Sequence, residues 1–145
     1  MIESLLQGSG GPEQTADTWL SNPTIADIIN NEERLKAYRK HAEEQMNNEI
    51  IDFVMEVKEY RERHAAKVFW RRALNAVASH IFLTYIKTNS PYEINLSHGT
   101  RKTCEGLFDE KGRLKDERTG MEFNKALCEQ GTLLLNQINT FNRLG

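Results

Sequence analysis

Apolar side chains recur at helical spacing through most of this chain. Ile50, Phe53, Val54, Val57 and Tyr60 line one face, with Asp52, Glu56 and Glu59 opposite. Residues three and four apart share a helix face, so this stripe predicts an amphipathic core helix. Trp70, Leu74, Val77, Ala78, Ile81, Phe82 and Tyr85 make a wider stripe, which predicts the longest helix from about Ala65 to Lys87. Shorter stripes follow the same rule: Ile25, Ile28 and Ile29; Leu35, Tyr38 and Ala42; Phe123, Ala126, Leu127 and Gln130; Leu134, Leu135, Ile138 and Phe141.

Capping chemistry marks the ends. Asn22-Pro23 starts a helix, with Asn as cap and Pro in the first turn. Asn31 caps the next, where Glu32 and Glu33 suit the positive helix start. Asn47 is the expected cap of the central helix, with Met46 stapled on Ile51. Arg61 to His64 reads as an exposed helix end. Asp109 to Asp116 is a charged turn around Gly112, and Thr119 to Glu122 has capping-box spacing. Gly131 reads as a helix stop and Thr132 as the cap of a last helix. No segment alternates as a strand. The expectation is an all-α fold of about nine helices.

One stretch breaks the helical period: Pro91-Tyr-Glu-Ile-Asn-Leu-Ser-His-Gly-Thr-Arg101. Pro91 ends the preceding helix, and Ser97 caps a helix running to about Phe108. Alternation turns Glu93, Asn95 and Ser97 outward while Ile94 and Leu96 point inward. A polar loop braced between helices is a natural place for recognition chemistry.

Composition narrows the function without naming it. The 145 residues are 39% hydrophobic and 28% charged, with 19 basic and 21 acidic side chains, which suits one globular domain. A net charge of −2 gives no general attraction to nucleic acid. Gly8 to Pro12 reads as a linker, so residues 1–18 are expected to be flexible and residues 19–145 to form the domain. Cys104 and Cys128 lack paired spacing and read as reduced thiols of a cytosolic protein. No apolar run is long enough to span a bilayer.

The search for catalysis comes back empty. Phosphate-binding, dinucleotide, zinc-protease and nucleophile-elbow motifs are absent. His41, His64, His80 and His98 have no metal-ligand spacing, and neither a metal nor a cofactor is expected. Arg61, Arg63, Lys67, Arg71 and Arg72 form a basic cluster, read first as a solvated helix face and second as a contact for anionic lipid or an acidic partner.

The loop resembles that of the RGS (regulator of G-protein signalling) domain, which reads roughly A-P-x-E-[IV]-N-[IL]-D-x-x-T-R. Asn47 to Phe53 resembles the family's S-x-E-N-[IL]-x-F segment, and Val57-Lys-Glu-Tyr60 follows at matching distance. The resemblance spans about residues 20 to 143. It implies a four-helix bundle with a subdomain built from both chain ends. It also implies binding to GTP-loaded Gα and faster GTP hydrolysis by that partner, without an active site in this chain. Glu93, Asn95 and Leu96 fall at switch-contact positions, and Asn47, Asn48, Glu49, Ser97, Leu127 and Thr132 fall along the same expected interface. Thr100 and Arg101 fall where the family supports the loop.

Two segments depart from the family pattern. Ile50 stands where the family has an asparagine. Gly131 to Leu135 stand where it has D-S-x-x-R, with Thr132 in place of serine. The implied alternative is a non-catalytic RGS-homology scaffold within a larger signalling protein, such as a Rho exchange factor or kinase. Either role implies a cytoplasmic protein, recruited to the inner face of the plasma membrane.

Overall fold

The computed structural model describes residues 15–67 and 71–144. Seven α-helices and one π turn account for most of them. They are α1 (Ala16–Leu20), α2 (Pro23–Ile29), α3 (Glu32–Glu44), α4 (Glu49–Ala66), α5 (Arg71–Ile81), α6 (His98–Glu105) and α7 (Asn124–Leu144), with the π turn at Phe82–Ile86. Among the described residues there is no strand. An isolated bridge joins Phe108 to Leu114.

Several starts follow from single side chains. Asn22 Oδ1 accepts from Thr24 N at 3.0 Å and Ile25 N at 3.3 Å, with Pro23 in the first turn. Asn31 Oδ1 accepts from Arg34 N at 3.1 Å. Each satisfies helix N–H groups that the helix itself leaves unpaired.

α4, α5 with its π turn, α6 and α7 pack in a closed circuit, which makes the four-helix bundle. α1, α2 and α3 pack on α7, so both ends of the described chain build the second layer. The stripes read from the sequence turn inward as expected: Ile50, Phe53, Val54, Val57 and Tyr60 are all buried, as are Leu74, Ala78, Ile81, Phe82 and Tyr85. Trp70 lies outside the described residues.

Boundaries differ in several places. α4 continues through Arg61–His64 to Ala66, supported by the i,i+4 pairs Lys58–Glu62 at 2.8 Å and Glu59–Arg63 at 2.9 Å. It ends at Lys67, which takes the left-handed conformation (φ 55°), so no single helix joins Ala65 to Lys87. Met46 also has a positive φ and is 86% exposed, so the expected staple on Ile51 does not form. Asn48, not Asn47, occupies the cap position of α4, and its amide donates to Asp52 Oδ2 at 3.0 Å. α6 stops at Glu105, which frees Phe108 to stack on Phe82 with ring centres 4.3 Å apart.

A further difference concerns Gly131. α7 runs straight through it, and Thr132 caps nothing. A β-carbon at Gly131 would lie 2.4 Å from Cδ2 of Trp19. The missing side chain lets the indole of α1 lie against α7, so this glycine serves close packing. Thr15 caps α1 and Ala16 is buried against the core, while Gly8 to Pro12 lie outside the described residues.

Candidate functional site

The loop after the π turn is fixed by its own backbone first. Tyr92 N donates to Thr84 O at 3.0 Å and Ile94 N to Tyr85 O at 2.9 Å. Ile94 and Leu96 are buried, while Glu93, Asn95 and Ser97 are exposed, as the alternation requires. Tyr85 also packs edge-on against Phe53 of α4, with ring centres 5.6 Å apart. This contact brings the first turns of α4 beside the loop.

Arg101 is the internal brace. Its guanidinium donates to the carbonyls of Ile86 and of Ile94, the latter at 2.8 Å, and lies 3.3 Å from Glu93 Oε2. Its side chain is only 14% exposed. Glu93 Oε1 accepts from Asn89 N at 3.0 Å, so both carboxylate oxygens hold the turn together. Glu93 thereby orients the loop from within.

The C-terminal helix supplies a second brace that the sequence reading missed. Glu129 Oε1 accepts from Ser97 N at 2.9 Å, and Oε2 accepts from Ser97 Oγ at 2.6 Å and from the Thr100 hydroxyl. Gln130, wholly buried, donates from Nε2 to the carbonyl of Asn95 at 2.7 Å. Burial pushes the Glu129 carboxyl up. The hydrogen bonds from Ser97 and Thr100 outweigh that and hold it below the ordinary carboxylate range. One signal was available: Gln130 sits on an otherwise apolar helix face, and a buried amide needs a partner.

These fasteners leave Asn95 with its carbonyl engaged and its side chain exposed. Among the described residues the Asn95 amide has no hydrogen-bond partner. It is a donor and an acceptor exposed to solvent on a backbone held in place.

Other expected contacts fare differently. Leu127 is buried in the core and offers no surface. Leu96 is nearly covered, at 9%. Asn47 and Glu49 are half-buried at the entry to α4, and Asn48 is tied to Asp52, which also pairs with Arg39 at 3.2 Å. Ile50 is core at 6% exposure, so its side chain does not reach the surface. Thr132 is exposed and lies one turn beyond Glu129 on α7. Leu133, 40% exposed, also lies one turn beyond Glu129. Leu135 is half-buried.

The basic cluster is partly committed elsewhere. Arg61 donates to Asn124 Oδ1 at 2.5 Å and pairs with Asp17, strapping α1 and α7 to α4. Arg63 pairs with Glu59. Lys67 and Arg72 are exposed, and the Arg71 side chain lies outside the described residues. Cys104 and Cys128 are not joined in a disulfide; burial pushes the Cys104 thiol up to about 11. Among the described residues no group of His, Cys, Asp or Glu could hold a metal ion. No helix among them is long and apolar enough to cross a membrane.

Comparison with protein families gives one result that spans most of the chain: the model of the regulator of G protein signaling domain matches residues 24–137. No curated protein matches the chain.

Proposed function

The chain belongs to the regulator of G protein signaling domain family, and from that premise we propose that it binds GTP-loaded Gα and speeds GTP hydrolysis by that partner. The observation that carries this reading is Asn95: an amide without a partner among the described residues, on a loop fastened by Arg101, Glu129 and Gln130. A rigid polar group of this kind can brace a mobile switch segment in its transition-state shape. The acceleration comes from binding that shape more tightly than the ground state. Phosphoryl-transfer catalysis rests on positioning and charge stabilisation, both of which remain with the GTPase's own groups. The role needs no titrating group in this chain. Acting on Gα, the domain works in the cytoplasm at the inner face of the plasma membrane, where exposed Lys67 and Arg72 favour anionic lipid.

Single-turnover GTP hydrolysis with a panel of Gα subunits tests the proposal. Acceleration is expected, with tighter binding to the aluminium-fluoride form than to the GDP form. Asn95→Ala should weaken that binding by about 10- to 100-fold, as for loss of a hydrogen bond to a charged or polarised group. Its thermal stability should stay within about 0.5 kcal/mol of the parent, since the amide has no partner to lose within the described chain. No acceleration and no transition-state binding across the panel would refute the reading.

The burial of Ile50 and the seating of Trp19 on Gly131 favour a second reading. Both positions lie where the resemblance leads one to expect polar contacts, and both belong to the core. A domain of this kind serves as a non-catalytic scaffold within a larger signalling protein. Binding to Gα without acceleration would select it.

A further inference from the structure

We propose that Glu129 is a positioning residue for the docking loop, its carboxylate reaching over from α7 to stand in for one the loop itself lacks. This inference rests on the Gα-docking reading above. In the family pattern that the loop resembles, an aspartate stands where this chain has Ser97. An aspartate there would cap α6 from within the loop and place a negative charge at the helix start. Ser97 still caps, with Oγ accepting from Thr100 N at 3.3 Å, but it brings no charge.

Glu129 fills that place from another helix. Its two oxygens take the Ser97 N–H, the Ser97 hydroxyl and the Thr100 hydroxyl. Thr100 is buried and its hydroxyl has no access to bulk water, so the carboxylate is its acceptor. Ser97 lies two residues from Asn95, and Gln130, the next residue of α7, holds the Asn95 carbonyl. Adjacent residues of one rigid helix thus grip the loop on both sides of Leu96. Moving the carboxylate from loop to helix leaves the cap chemistry intact. It also makes the orientation of Asn95 depend on the register of α7.

A charge swap tests this. Glu129→Gln should reduce binding to aluminium-fluoride-activated Gα by about tenfold, the scale of one charge-assisted hydrogen bond. Ser97→Asp in the parent should also weaken binding, because two carboxylates would then share one site. Ser97→Asp combined with Glu129→Gln should restore binding to within about threefold of the parent, since the single mutations are then strongly non-additive. Amide hydrogen exchange at Ser97 and Thr100 should follow the same order: slow in the parent, fast in Glu129→Gln, slow again in the pair. Recovery of slow exchange without recovery of binding would reduce Glu129 to a stability element and overturn the positioning role. Unchanged exchange in Glu129→Gln would overturn the relocated carboxylate itself. If the parent binds no Gα at all, the docking reading fails. The exchange series, which needs no partner, then decides the carboxylate's place by itself.

Discussion

The loop and the first turn of α4 flank the same end of the bundle and are built from opposite materials. The loop is held by hydrogen bonds to two charged side chains, Arg101 from α6 and Glu129 from α7, and to the Gln130 amide beside it. The first turn of α4 is held by apolar burial, with Ile50 and Ile51 turned into the core. Polar fastening leaves neighbouring groups exposed at set positions, because each bond fixes direction as well as distance. Apolar burial is non-directional and removes the side chain from the surface altogether. A bundle end made in both ways has one flank suited to recognition and one suited to stability. The difference explains why Asn95 remains a contact candidate and Ile50 does not.

The sharpest break of this contrast is Ile50→Asn. On sequence grounds the substitution would restore a family asparagine. In this fold it buries an amide among Phe53, Val54 and their neighbours, with loss of packing. We expect a loss of about 3 kcal/mol, from the missing apolar volume plus an unsatisfied polar group. Urea denaturation reads it directly. An unchanged midpoint would mean that the first turn of α4 reorients and the flank is not core.

Arg101→Ala should act on the polar flank. It leaves the Ile86 and Ile94 carbonyls without their donor and Glu93 Oε2 without its ion-pair partner, at about 2 kcal/mol of stability. Because the loop loses its inner brace, Gα binding should fall by more than the stability loss alone explains. If binding survives while the melting temperature drops, the loop keeps its shape without Arg101.

The smallest effect concerns acidity. Glu129 is held below the ordinary carboxylate range in the folded state. Its contribution is therefore complete above the unfolded-state value and is lost as pH falls through the folded-state value. The melting-temperature gap between the parent and Glu129→Gln should be constant near neutrality and narrow below about pH 4. A gap that widens on acidification would reverse the assigned sign.

The legible parts of the fold were local. Asn22, Asn31 and Ser97 announced helix starts because each cap acts within three residues of its own position. The stripes of α4 and α5 announced the core because periodicity is a property of one segment. Alternation likewise announced which loop residues turn outward. What was not legible depended on distant partners. Gly131 looked like a stop because the indole that needs it belongs to α1. With α7 divided there, Glu129 and Gln130 became the end of a short helix, not the middle of a long one, and their grip on the loop was hidden. The end of α4 was missed for a different reason. Ala65 and Ala66 are strong helix formers, so nothing in the local pattern announced the left-handed turn at Lys67.

The seat of Trp19 on Gly131 also orders the molecule in time. α1 has five residues, too few to persist as an isolated helix. Its seat is made by a helix at the far end of the chain, so closing that contact carries a large loop-entropy cost and belongs late in folding. By the same token α1 is the first element to detach in native-state fluctuations, ahead of global unfolding. Each such opening breaks the Asp17–Arg61 strap and bares α7 around Gly131, about 160° around the helix from Glu129. The grip of Glu129 on the loop lies on the other side, so the recognition flank can stay in register while α1 opens.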